Sequence, residues 1–124
     1  MRFSYFRKLM PPFKLTLEKV PSSTDQLAIF KATGKLSLET VSEFTPVLRS
    51  EPASNIVLDM SGVSFLDSAG VGALVSLFVN RRGQGKTFSL AALTPQSTAV
   101  VTVAGLQNLL PVYKTVEEAV AKLA

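Results

Sequence analysis

Two neighbouring residues, Asp67 and Ser68, stand where side-chain chemistry and chain position coincide in this sequence. They close a loop that follows the short apolar run Ile56-Val57-Leu58, and they open a long apolar segment, Ala69-Gly70-Val71-Gly72-Ala73-Leu74-Val75-Ser76-Leu77-Phe78. The first run, with two β-branched residues, reads as a strand buried on both faces; the second is long enough only for a helix. Asp and Ser both accept hydrogen bonds from the free N–H groups of a helix's first turn. A hydroxyl there lies at the positive end of the aligned peptide dipoles, where a phosphate or another anion is stabilised. Ser68 is therefore either a helix cap or a phosphate acceptor. Asp67 is either a structural cap or a group that positions Ser68 and a partner's nucleotide phosphates.

A second carboxylate, Asp59, follows the central apolar run, with Ser61 close behind it. An aspartate at the C-terminal end of a central strand is where a two-component receiver carries its phospho-acceptor. The remainder of a receiver is missing: Val20-Pro21-Ser22-Ser23 stands where an acidic pair would hold Mg²⁺, and Ala91-Ala92-Leu93-Thr94 stands where a lysine would end a late strand. Gly62, Gly70 and Gly72 have neither the spacing nor the following Lys-Ser/Thr of a phosphate loop. Gly70 and Gly72 fall in the first turns of the expected helix, where each costs about 1 kcal/mol relative to alanine. That cost points to close approach by another backbone.

The 124 residues are one domain's worth, apolar enough (47%) to form a core and too sparsely charged (18%) to be disordered. Without a cysteine or a histidine, the chain has no thiolate nucleophile, no Cys/His zinc site and no serine hydrolase dependent on a histidine base. The absence of disulfides fits a cytoplasmic protein. Net charge is +4, yet Arg2, Arg7 and Lys8 account for +3 of it and the remaining chain for +1. No basic stripe is left to follow a phosphate backbone, so no nucleic-acid partner is expected. No apolar run near the start is long enough for a membrane span, so no integral membrane segment is expected. Residues 1–12 read as a flexible leader ending at Pro11-Pro12, with Met10 an alternative start, and residues 13–124 as the domain.

The elements that must position Asp67 and Ser68 can be read in order. Phe13, Leu15 and Leu17 alternate as one face of a first strand; Leu27-Ala28-Ile29-Phe30-Lys31-Ala32-Thr33 returns antiparallel, and Gly34 marks a bend. Ser37 is a plausible N-cap for a helix that turns Leu38, Val41, Phe44 and Leu48 toward the sheet, with a kink or an end expected near Thr45 because Pro46 follows. After the central strand and helix, Arg81-Arg82 read as C-terminal charges on the helix dipole. A strand over 87–93, a helix begun by Thr94-Pro95 and stopped by Gly105, a short edge strand over 110–113 and a last helix opened by Thr115-Val116-Glu117-Glu118 complete the order. Alternating strands and helices predict an α/β fold: a mixed, mostly parallel sheet of four to five strands with about four helices packed against it.

The stretch Asp59-Met60-Ser61-Gly62-Val63-Ser64-Phe65-Leu66-Asp67-Ser68-Ala69-Gly70, followed by Gly72-Ala73-Leu74, resembles the signature of STAS domains, most closely the bacterial anti-sigma factor antagonists. The resemblance implies the STAS fold. It further implies a regulator rather than an enzyme, without cofactor or metal, that binds an anti-sigma factor serine kinase until that kinase phosphorylates Ser68; a serine phosphatase reverses the step. The partner surface it implies is Asp67, Ser68, Ala69, Gly70, Val71, Gly72, Leu74 and Val75, with Asp59 and Ser61 in support. The apolar helix also offers a face for weak homodimerisation. A different implied role is that of a STAS accessory subunit of a membrane transport ATPase, docking by the same helix without a phosphorylation cycle. Ala69 departs from the serine or threonine common after the phosphorylated serine.

Overall fold

A computed structural model describes residues 3–4 and 14–123 of the chain. Strands β1 (Phe3–Ser4), β2 (Leu15–Val20), β3 (Leu27–Leu36), β4 (Asn55–Leu66), β5 (Thr87–Ala91) and β6 (Val112–Tyr113) alternate from β3 onward with helices α1 (Val41–Arg49), α2 (Ser68–Gly83), α3 (Pro95–Ala104) and α4 (Val116–Leu123). The sheet order is β1-β2-β3-β4-β5-β6. β1, β2 and β3 pair antiparallel, and every pairing from β3 to β6 is parallel. Counted from β2, this is the expected five-stranded mixed sheet, with the two residues of β1 added at its edge. Phe13, expected in the first strand, and the leader apart from Phe3–Ser4 lie outside the described residues.

A sheet whose parallel strands follow one another in a single direction constrains its helices: right-handed crossovers then all lie on one face. Phe44 and Leu48 of α1, Leu74 and Leu77 of α2 and Val101 of α3 join one core cluster with Phe30, Ile56, Leu58 and Leu90 of the strands. On the other face, α4 closes a smaller cluster, in which Ala119 meets Leu27, Val57 and Ala91. The alternation along β4, Ile56 and Leu58 one way and Val57 the other, is the strand period serving two cores. α1 and α3 flank α2, which explains an apolar circumference that a lone surface helix would not have.

Four local expectations are corrected. β3 does not stop at Gly34 but passes through it at φ +113° and continues to Leu36. β4 likewise runs on through residues 61–66, expected as loop, because the extended β3 supplies a parallel partner as far as Leu36↔Leu66. β4 takes one extra residue between the pairs Lys31↔Asp59 and Thr33↔Gly62, and another between Gly34↔Val63 and Lys35↔Phe65. The first helix has Thr40 rather than Ser37 at its N-cap position, without a side-chain cap bond, and carries Pro46 in its interior without ending before Arg49. Leu38, expected against the sheet, precedes the helix and is 75% exposed.

Arg81 is a further correction. It is not an exposed charge on the helix dipole but is fully buried. Its guanidinium donates to three backbone carbonyls: Nε to Thr87 (2.9 Å), Nη1 to Glu51 (3.1 Å) and Nη2 to Ala53 (2.6 Å). Burial pulls its pKa down, and the charge of Glu51 pulls it back up. The Glu51 carboxylate is itself held by Lys19 (2.8 Å) and the Ala53 amide (2.9 Å). One side chain thus ties the end of α2 to the starts of β4 and β5. Arg81→Met removes three donors from buried carbonyls and should cost about 3–5 kcal/mol of unfolding free energy; an unchanged urea midpoint would refute the assignment.

Candidate functional site

The site is built at the C-terminal ends of β3 and β4, where α2 begins. Leu66, the last residue of β4, is gripped by the side-chain amide of Gln96 on α3: Nε2 donates to the Leu66 carbonyl and the Leu66 amide donates to Oε1, both at 3.0 Å. This pair imitates a strand pairing and fixes the direction in which the chain leaves the sheet. Asp67 then caps α2 from extended backbone, φ −114° and ψ −175°. Its Oδ1 accepts from the Gly70 amide at 2.9 Å, and its Oδ2 accepts from the Leu38 amide at 3.2 Å. One carboxylate therefore joins the first turn of α2 to the loop between β3 and α1.

The structure separates the two roles that the sequence leaves open for this pair. Asp67 is the N-cap, and Ser68 is the first helical residue. The Ser68 side chain is exposed and makes no hydrogen bond among the described residues. The Gly70 and Val71 amides are taken by the Asp67 carboxylate and carbonyl, so those of Ser68 and Ala69 remain as first-turn donors at the positive end of the dipole. Beside Ser68 lies a groove of about 410 Å³ between α2 and α3, lined by Val71, Ala99, Val100, Val103 and Ala104. The arrangement offers a free hydroxyl at an anion-tolerant helix end, bordered by apolar surface.

The other expected site residues distribute unevenly. Ala69, Val71 and Val75 are half-buried and Gly72 is exposed, whereas Leu74 is fully buried in the core and supports the surface from beneath. Gly70 is buried, and a Cβ on it would lie 2.4 Å from the Leu36 carbonyl oxygen and 2.7 Å from Leu66 Cδ1. This is the close backbone approach expected of these glycines, made within the chain itself. Gly72 differs, since a Cβ there meets nothing within 4 Å. Asp59 does not end its strand; it sits within β4, where Oδ1 accepts from the Ser61 amide at 2.9 Å beside the first extra residue. That local bond explains both residues without a phosphoryl acceptor. Among the described residues no acidic group forms a metal-ligating cluster.

Sequence reasoning missed Gln96, Thr40 and the exposure of Leu38. A glutamine two residues after Thr94 carries no signal for a strand end 30 residues earlier. Thr40 could have been weighed against Ser37, as both are cap formers.

Comparison with known proteins places the fold. The family model described as STAS domain matches residues 18–119. An anti-sigma factor antagonist from Mycobacterium paratuberculosis is 20% identical, with TM-score 0.74 over 86% of this chain and 92% of that one. The unphosphorylated anti-sigma factor antagonist SpoIIAA is 20% identical, with TM-score 0.70 over 83% and 92%. The phosphorylated Bacillus form of SpoIIAA is 19% identical, with TM-score 0.64 over 84% and 96%. A sulfate transporter family protein from Wolinella succinogenes is 19% identical, with TM-score 0.70 over 84% and 88%.

The two glycines of the first turns give opposite expectations. Gly70→Ala drives a methyl into the backbone of Leu36 and should cost about 2 kcal/mol or more, in the range of overpacked sites. Gly72→Ala meets open space and should raise stability by up to about 1 kcal/mol through helix propensity. Thermal melts of the two variants check both; a pair that shifts in the same direction would refute the packing account.

Proposed function

The chain belongs to the STAS domain family, and on that premise we propose that it is an anti-sigma factor antagonist-like regulator. In its unphosphorylated form it binds an anti-sigma serine kinase, and phosphorylation of Ser68 releases it. A serine phosphatase resets the cycle. The protein acts by binding rather than catalysis, in the cytoplasm, with Asp67, Ser68, Ala69, Val71, Gly72 and Val75 at the partner surface. No helix among the described residues is long and apolar enough to cross a membrane.

The observation that carries this reading is the division of labour at the start of α2. Asp67 does the capping, so the Ser68 hydroxyl is exposed and unused by the fold. A phosphate there adds about −1.5 to −2 charges at neutral pH, at a helix end that tolerates them. The fold survives, while an apolar partner face laid over Ser68 and the neighbouring groove has to bury that charge beside the Asp67 carboxylate. The modification acts on the complex and not on the domain.

A second reading, a STAS accessory subunit of a membrane transport ATPase, is favoured by the shared fold of the sulfate transporter family protein. It needs no reaction at Ser68. Incubation with ATP and each purified candidate kinase of the same genome, followed by intact mass and site mapping, separates the two: a single phosphate on Ser68 supports the switch. Stable complex formation with a transport ATPase and no phosphate replaces it with docking.

Ser68→Glu and Ser68→Asp are expected to keep unfolding free energy within about 0.5 kcal/mol of wild type, as surface changes do. The same variants should weaken kinase binding by about 30-fold or more, the low end of the cost of an unpaired charge in an interface. Ser68→Ala should bind and not be released by ATP. Calorimetric unfolding and titration measure the two effects independently; loss of folding in the acidic variants would overturn the model.

A further inference from the structure

The large apolar side chains exposed among the described residues are Leu38, Phe65, Val79, Val103 and Leu109. Scattered singly, such residues need no explanation. Two of these five are tied to the site around Ser68: Val103 lines the groove beside it, and the Leu38 amide donates to Asp67 Oδ2. Leu38 differs from the others in how it is held. Its loop is fixed on one side by Thr40, whose Oγ1 accepts from the Ser37 amide (3.0 Å) and donates to the Lys35 carbonyl (2.9 Å). On the other side Asp67 holds it at two points, the carboxylate on the Leu38 amide and the backbone amide on the Leu36 carbonyl (3.4 Å). Gly70, lacking a side chain, lets the Leu36 carbonyl lie against the first turn of α2. The result is a fastened loop that turns a leucine, 75% exposed, outward. A backbone segment already held in place loses little entropy when the side chain it carries is bound, which favours an interface anchor.

We propose, resting on the reading of Ser68 as the switch, that the partner surface extends over the loop at 37–40. Leu38 is its apolar anchor, entering an apolar pocket of the kinase that flanks the phosphate-donor site. Asp67 is a positioning residue that acts through Leu38. The surface then has two apolar parts, Leu38 and the α3 groove, and a phosphate on Ser68 adds charge beside the groove and next to the Asp67 that holds Leu38.

The test uses the purified kinase that phosphorylates Ser68 in wild-type protein. Leu38→Ser is expected to raise KM for that phosphorylation about tenfold with kcat unchanged, the pattern of lost docking rather than lost chemistry. Its melting temperature should stay at the wild-type value, since the side chain is exposed. Asp67→Asn keeps one acceptor oxygen where two are needed, so amide exchange at Leu38 should accelerate and KM should rise by a similar factor. The double variant should be no worse than the poorer single one, because both changes remove the same contact. A wild-type KM for Leu38→Ser overturns the anchor, and additive effects of the two changes overturn the positioning role of Asp67. If no kinase phosphorylates the wild-type chain, the reading of Ser68 fails first and this inference with it.

Discussion

Everything at the Ser68 end of this domain depends on one close backbone contact, the first turn of α2 against the last residues of β3. Gly70 makes the approach sterically feasible, with the Leu36 carbonyl where a side chain would otherwise be. Asp67 makes it directional, spending one carboxylate oxygen on its own helix and the other on the Leu38 amide. With both in place the helix start, the end of the sheet and the following loop behave as a unit. Ser68 is the residue left over, placed by that unit but not needed to hold it together.

On the proposed reading of Ser68 as the switch, this arrangement explains how a charge is added beside a binding surface without cost to the fold. Anions are disfavoured in interiors and over helix C-termini, and favoured where first-turn amides lack acceptors. At Ser68 the free amides, the exposure and the nearby apolar groove coincide. In the proposed cycle the same phosphate is tolerated by the domain and rejected by an apolar partner. The buried cation at the opposite end of α2 follows the reverse logic. Arg81 is charged and dry because three carbonyls and the field of Glu51 replace its water, so it belongs to the fold and not to exchangeable chemistry.

Much of this was legible in the residues, and the exceptions have physical causes. Helices whose stops are local were read well: Pro95 opens α3 with Thr94 as cap, Gly105 ends it at φ 70°, and the Thr115 hydroxyl accepts from the Glu118 amide at 3.0 Å. The central helix was legible through its length and its Asp-Ser start. The lengths of β3 and β4 were not, because each strand extends only where the other supplies a parallel partner, and glycine, serine and extra residues break the alternation that marks a strand locally. Arg81 was misread because basic residues near a helix end usually face water, and two of the three carbonyls that receive it lie about 30 residues away in sequence. The same limit hid Gln96 and Leu38, whose roles arise only when distant segments meet.

The sheet order carries the remaining functional argument. Doubly wound domains bind nucleotides in the crevice formed where the strand order reverses and the helices part to opposite faces. Here the parallel strands run β3-β4-β5-β6 without reversal, and α1, α2 and α3 lie together on one face. Among the described residues the strand order makes no such crevice, and the opening beside Ser68 is instead the groove between α2 and α3. On the proposed reading, the phosphate donor for Ser68 is carried by the kinase. An apolar groove with an exposed hydroxyl beside it is suited to receive the protein that brings that donor.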